Sequence, residues 1–211
     1  KILIRKYLWD QTSGIFFDYD SKLNQQHRYM SCTCLYPLWA CDSYNPETFL
    51  LSQSEAVVLV KKLFKVLEAP GGLVASSRTS RGIITTQRPQ RQWDWPYGWA
   101  PHQMLVWKGL KNFGLDQDVK RLGYKWLYTK NQNAADFNGT VPEKFNVVTR
   151  SHKVFAEYGN VGTEFSYITK EGFGWMNASY TVGLTYLAER YKHRLRELIP
   201  PENIFVESRK E

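Results

Sequence analysis

The run SQSEAVVLVKKLFKVLEAPGG at 52–72 constrains the fold more than any other stretch of the chain. Ser52 and Glu55 stand at capping-box spacing, where a hydroxyl and a carboxylate satisfy free N–H groups at the start of a helix. Ala56, Leu59, Val60, Leu63, Phe64 and Leu67 recur at helical intervals until Pro70, Gly71 and Gly72 stop the run. So wide an apolar face must be buried against partners, and the chain supplies them. A second helix is predicted from near Pro101 to Gly114. A third starts at Asp116, with Leu115, Val119, Leu122 and Trp126 on one face, and the two form a tight helical hairpin. The last helix is expected from about Ala178 to Ile199, with Tyr180, Leu184, Leu187, Tyr191, Leu195 and Leu198 on one stripe and Pro200 and Pro201 as its stop. GIFFDYD at 14–20 reads as a short strand or hairpin.

The 211 residues, 43% hydrophobic and 23% charged, suffice for one sizeable core. No stretch reaches the roughly 18 consecutive apolar residues of a membrane span, and the first residues lack the zones of a signal peptide. A soluble, unexported protein is the expectation, and an opening at Lys1 inside an amphipathic segment suggests a fragment. Cys32, Cys34 and Cys41 match neither a disulfide framework nor a paired structural zinc site, so reduced thiols of a cytoplasmic protein are expected. The net charge of +8 raises the possibility of an anionic partner. Its clearest basic run, RYKHRLR at 190–196, falls on an amphipathic helix whose solvated face such residues usually form. No recognition motif accompanies the charge, so no nucleic-acid partner and no membrane partner are expected.

Function is sought in the long connections, 69–98 and 130–177, which are rich in Gly, Asn, Thr, Pro and aromatics. QWDWPYGWAPHQ at 92–103 puts Trp93, Trp95, Trp99 and Tyr97 beside Gln92, Asp94 and Gln103. Aromatic faces stack on sugar C–H faces while amides and carboxylates bond hydroxyls. The same tryptophans suit a plug between helices, with Asp94 as a cap. In DFNGTVPEKFNVV at 136–148, Glu143 has apolar neighbours that would desolvate it for proton transfer; a surface pair with Lys144 is the alternative. Glu157, Glu164 and Glu171 lie among glycines and aromatics in the segment 152–180. His102 and His152 have no metal-ligand spacing, so no metal is expected. Carboxylates and aromatics round one cavity suggest glycoside hydrolysis, which places two carboxyl groups about 6.5 to 9.5 Å apart for inversion and about 5 to 5.5 Å for retention. The residues alone nominate Asp94 and Glu143.

Three segments in order, Gln92 to Pro101, Pro142-Glu143-Lys144-Phe145 and Glu171-Gly172-Phe173-Gly174-Trp175-Met176-Asn177, resemble those of the trehalases of glycoside hydrolase family 37. The likeness is best from about Gly71 to Tyr180, and DFNGTVPEKF with FAEYGNVGTEF looks most like fungal cytosolic neutral trehalases. The resemblance implies an all-α (α/α)6 barrel, of which residues 1–211 would be the closing third to half, part of one catalytic domain with no internal boundary. It implies inverting hydrolysis of α,α-trehalose with water to two glucose molecules, with Glu143 as general base. Trp93, Asp94, Trp99, Gln103 and Glu164 are the expected sugar contacts, and Asp94 leaves the acid role.

The family's general acid is an Asp in a Ser-Gly-Trp-Asp type segment without a counterpart here; Trp9-Asp10 lacks the preceding Gly and opens a different helix and turn. The partner is therefore the remainder of the catalytic domain, and the chain alone is expected to be inactive. The alternatives are a trehalose-binding or regulatory remnant without catalysis and a basic interaction module. By resemblance a calcium-binding regulatory region would lie upstream; no cofactor is expected within these residues. Asn138-Gly139-Thr140 and Asn177-Ala178-Ser179 match the glycosylation sequon and would stay unmodified in the cytosol.

Overall fold

The structure, a computed structural model, describes residues 1–41, 44–155 and 173–205. α1 (Ile2–Leu8) runs into β1 (Trp9–Asp10), which pairs antiparallel with β2 (Ile15–Phe16). β3 (Asp18–Asp20) pairs likewise with β4 (Gln25–His27). The 14–20 stretch thus gives one strand to each of two hairpins, and Trp9-Asp10 closes a helix rather than opening one. α2 (Tyr36–Trp39) is a single turn. α3 (Gln53–Leu67) carries the expected capping box: Ser52 Oγ accepts from the Glu55 N–H at 3.3 Å, and Glu55 Oε2 accepts from the Ser52 N–H at 2.8 Å.

After α3 the chain doubles back through β5 (Glu68–Ala69) and β6 (Gly72–Leu73), then makes the short α4 (Arg78–Arg81). β7 (Tyr97–Trp99) leads into α5 (Ala100–Asn112), and Gly114, at φ +66°, makes the corner before α6 (Asp116–Asp136). The predicted helical hairpin is these two. α6 runs beyond residue 130, into what the sequence suggested was connection. Gln132, Ala134 and Ala135 favour helix, and Asn133 Nδ2 bonds back to Thr129 O and across to Arg150 O, both at 2.8 Å.

β8 (Lys144–Asn146), α7 (Gly174–Thr185) and α8 (Glu189–Arg196) complete the series. The expected single last helix is two. Its apolar stripe does point inward, with Leu187 and Leu195 buried and Tyr180, Leu184, Tyr191 and Leu198 packed against the core. Side-chain periodicity reports the inward face, not the continuity of the axis. Extended backbone at Ala188 turns the chain so that α7 packs on α5 and α6 while α8 follows α6. The basic residues Arg190, Arg194 and Arg196 are exposed, as the solvated-face reading required.

One apolar core joins Leu59, Leu63 and Leu67 of α3 to Trp107 and Leu110 of α5 and to Leu122, Trp126 and Leu127 of α6. Cys32 and Cys34 belong to it; burial pushes both thiols up, which leaves them packing groups rather than nucleophiles. Among the described residues no helix is long and apolar enough to cross a membrane.

Candidate active site

β7 and β8 bring the two best-marked segments together. They pair antiparallel with Tyr97 opposite Asn146, Gly98 opposite Phe145 and Trp99 opposite Lys144. Gly98 is required: a Cβ there would stand 2.5 Å from Val147 Cγ1 and 2.8 Å from Leu73 O. Opposed residues of a pair share a face of the sheet, so Lys144 comes up beside Trp99.

On that face Trp93 stacks flat on Trp99, centroids 3.7 Å apart at 5°. Trp99 is 1% exposed, with its Nε1 donating to Gln92 O at 2.8 Å, whereas Trp93 keeps 45% of its surface open. Trp175, from the first turn of α7, meets both edge-on. His102, from α5, meets Trp93 edge-on and lies with Nδ1 2.7 Å from the Tyr36 hydroxyl; burial holds it down to about 4 and so neutral near pH 7. Lys130 ties α6 to α7 by donating to Met176 O, and Trp126 Nε1 donates to Ser179 Oγ at 3.0 Å. These bonds fix the turn from which Trp175 projects. The Trp175 Nε1 itself is buried without a hydrogen-bond partner among the described residues.

Glu143 sits at the bend just before β8, its side chain 11% exposed, with Oε2 3.8 Å from Lys144 Nζ. Lys144 is 1% exposed. A solvated surface pair, the alternative reading of this dipeptide, is thereby excluded: both groups lie below the surface.

The remaining sequence-nominated residues divide. Asp94 Oδ1 accepts from the Tyr29 hydroxyl and from Ser76 Oγ at 2.9 Å, while Oδ2 lies 3.7 Å from Nε of the buried Arg81. It locks the turn before β7, yet also lines a cavity of about 550 Å³ with Trp93, Tyr29, Arg81, Arg88 and Arg91. Gln103 is fully buried, and both ends of its amide are spent on Leu73, Nε2 to O at 2.8 Å and N to Oε1 at 3.0 Å. That corrects its expected sugar contact: it holds β6 to α5. Trp99 likewise supports Trp93 from below instead of offering its own face. Glu164, with Glu157 and Glu171, lies outside the described residues. Sequence reasoning missed Lys144 and Trp175 as site residues; the alternation of a strand at 144–146, once paired with 97–99, is the signal for the former. Among the described residues no three or more His, Cys, Asp or Glu are grouped to hold a metal.

An all-α scaffold presenting a tryptophan platform near a largely sheltered carboxylate has the features of helical carbohydrate-active proteins. The family model described as trehalase matches residues 1–188, and the chain belongs to the trehalase family. It is 44% identical over 207 residues to a probable trehalase of Saccharomyces cerevisiae, covering 97% of this chain and 26% of that protein. It is 45% identical over 205 residues to a cytosolic neutral trehalase of Neurospora crassa, covering 96% and 26%. The fold matches the solved neutral trehalase Nth1 of Saccharomyces cerevisiae, an (α/α)6 barrel enzyme, with TM-score 0.78 and 38% identity, over 98% of this chain and 32% of that one. The chain therefore spans about a quarter of the length of the curated relatives it matches.

Proposed function

We propose that these residues form part of a trehalase active site, which hydrolyses α,α-trehalose to two glucose molecules in the cytosol with inversion. The observation that carries this reading is the β7–β8 pairing, which sets the Glu143 loop against the Trp93–Trp99 platform. Glu143 acts as general base and takes a proton from the water that attacks the anomeric carbon. Trp93 stacks on a glucose ring through its exposed face, and Asp94 and Trp93 contact sugar from the wall of the adjoining cavity.

The general acid is an aspartate from the rest of the catalytic domain. Asp94 is unsuited to that task, since its carboxylate already accepts from Tyr29 and Ser76 beside Arg81. Without the acid the leaving group would depart as an alkoxide, so the 211 residues alone do not turn over trehalose. Glu143→Gln in the complete protein keeps the side chain's shape and removes the base. It is expected to lower kcat by about 10²- to 10⁴-fold, with trehalose binding by calorimetry retained. Near-normal turnover removes Glu143 from the mechanism.

A further inference from the structure

Lys144 is the group in this site that the reading above leaves without a task. An ammonium is among the costliest groups to bury, and side chains of its type are found below the surface when they are paired. Here the side chain is 1% exposed, held within β8 opposite Trp99. Its Nζ donates to Gln92 Oε1 at 3.1 Å and stands 5.0 Å from the Trp99 ring centroid and 5.9 Å from that of Tyr97. Aromatic faces attract a desolvated cation strongly, so three neighbours from the 92–99 segment fix where the charge sits.

The fourth neighbour is Glu143. Consecutive residues of a regular strand point to opposite faces, which would hold a Glu-Lys pair apart. Glu143 precedes the strand, at a bend, and this lets its Oε2 come to 3.8 Å from Lys144 Nζ. The contact therefore depends on where the strand begins, not on chance proximity along the chain.

We propose that Lys144 is a positioning residue for the reaction: a fixed cation, anchored to the tryptophan platform, that aims the Glu143 carboxylate. The inference rests on Glu143 being the base. It links the two halves of the site, because the cation sits on Trp99, on which Trp93 stacks; the sugar-stacking surface and the proton acceptor share one support.

The test uses the complete protein and follows kcat and KM for Lys144→Met, Lys144→Arg and Gln92→Leu. Lys144→Met is expected to lower kcat by up to about 100-fold, the scale of a small misplacement of a reacting group, with KM within about twofold. Lys144→Arg, which keeps the cation, should recover part of the lost kcat. Gln92→Leu, which keeps the lysine and removes its amide acceptor, should shift kcat in the same direction and covers the case in which Lys144→Met does not fold. Full kcat in Lys144→Met or in Gln92→Leu, or a fall in kcat matched by an equal-fold rise in KM, overturns the proposal. Full turnover in Glu143→Gln would instead overturn the base assignment, so the two failures are told apart.

Discussion

The end of α3 and the start of β8 both draw charge away from solvent, and they do so in different ways. Where α3 ends, Glu68 accepts from Arg121 at 2.8 and 2.9 Å and from Lys125 at 2.6 Å, and Asp118 takes the other side of Arg121 at 2.7 Å. Burial alone would raise Glu68, yet the Arg121 hydrogen bonds and the Lys125 charge outweigh it and hold the carboxyl below its usual range. Beside β8, the Lys144 ammonium rests instead on ring faces and one amide, with its carboxylate neighbour at 3.8 Å. The first cluster lines a groove of about 900 Å³, larger than the 550 Å³ cavity next to Trp93. Size does not locate the site. The groove is walled by groups already engaged with one another, while the smaller cavity has an open tryptophan face and convergent polar groups.

If this contrast is sound, the Glu68 cluster braces the fold and the β7–β8 site carries the chemistry. The largest separation is expected for Glu68→Gln, which leaves Arg121 and Lys125 facing a neutral amide. The cluster is partly buried, and hydrogen bonds to charged groups are worth about 1.5–3 kcal/mol, so denaturant unfolding of the complete protein should show a loss of that size. kcat at a temperature where the variant stays folded should remain within about twofold. A large fall in kcat without loss of stability would reverse the assignment of the two regions.

Acid sharpens the comparison at a lower magnitude. His102, among the rings, is held down to about 4 by burial, so the unfolded chain takes up a proton before the folded one as pH falls below about 6.5. Its neutral burial is therefore without cost above that range, and stability is lost as pH falls from about 6.5 to about 4. Glu68 behaves differently: the stability its depressed carboxyl contributes is present above the usual carboxylate range and disappears only on protonation below it. His102→Gln retains an acceptor for Tyr36. Between pH 7 and pH 5 the parent should lose about 1–2 kcal/mol more unfolding free energy than this variant. Equal losses would mean that His102 is already solvated in the folded protein.

The parts of this molecule that were legible in the sequence are those whose signal is local. The capping box at Ser52 and Glu55, the corner at Gly114 and the periodic faces of α3, α5 and α6 follow from neighbours a few residues apart, and they stand as expected. The break at Ala188 was hidden because an apolar stripe on either side of a turn looks like one stripe. The end of α6 was hidden because Asn133 is a poor helix former whose side chain is used by Thr129 and by the distant Arg150. In the candidate site, the family segments pointed to Glu143 and the tryptophan loop but not to the β7–β8 pairing that brings the two segments together. Gln103 looked like a sugar ligand because its partner, Leu73, lies 30 residues away in sequence and offers only backbone. Lys144 looked like a surface cation for the same reason: the strand that buries it is made by pairing across 45 residues, Trp99 to Lys144.

The smallest expected effect bears most directly on what the platform is for. Trp93 is 45% exposed, so truncating it removes little core, and Trp93→Ala should leave the unfolding free energy nearly unchanged. It does remove the ring face that opens on the cavity. Losing one stacking partner is worth about 1 kcal/mol, so the dissociation constant for trehalose should rise by about five- to tenfold in calorimetry, with kcat at saturation little altered. Trp93→Phe, which keeps a face, should recover part of the loss. Trp99→Phe is the contrasting variant, because Trp99 is 1% exposed and bonded to Gln92 O; it should act through stability first and affinity second. If Trp93→Ala binds trehalose normally while Trp99→Phe loses binding without loss of stability, the sugar reaches the buried ring, and the order of the two tryptophans in the platform is reversed.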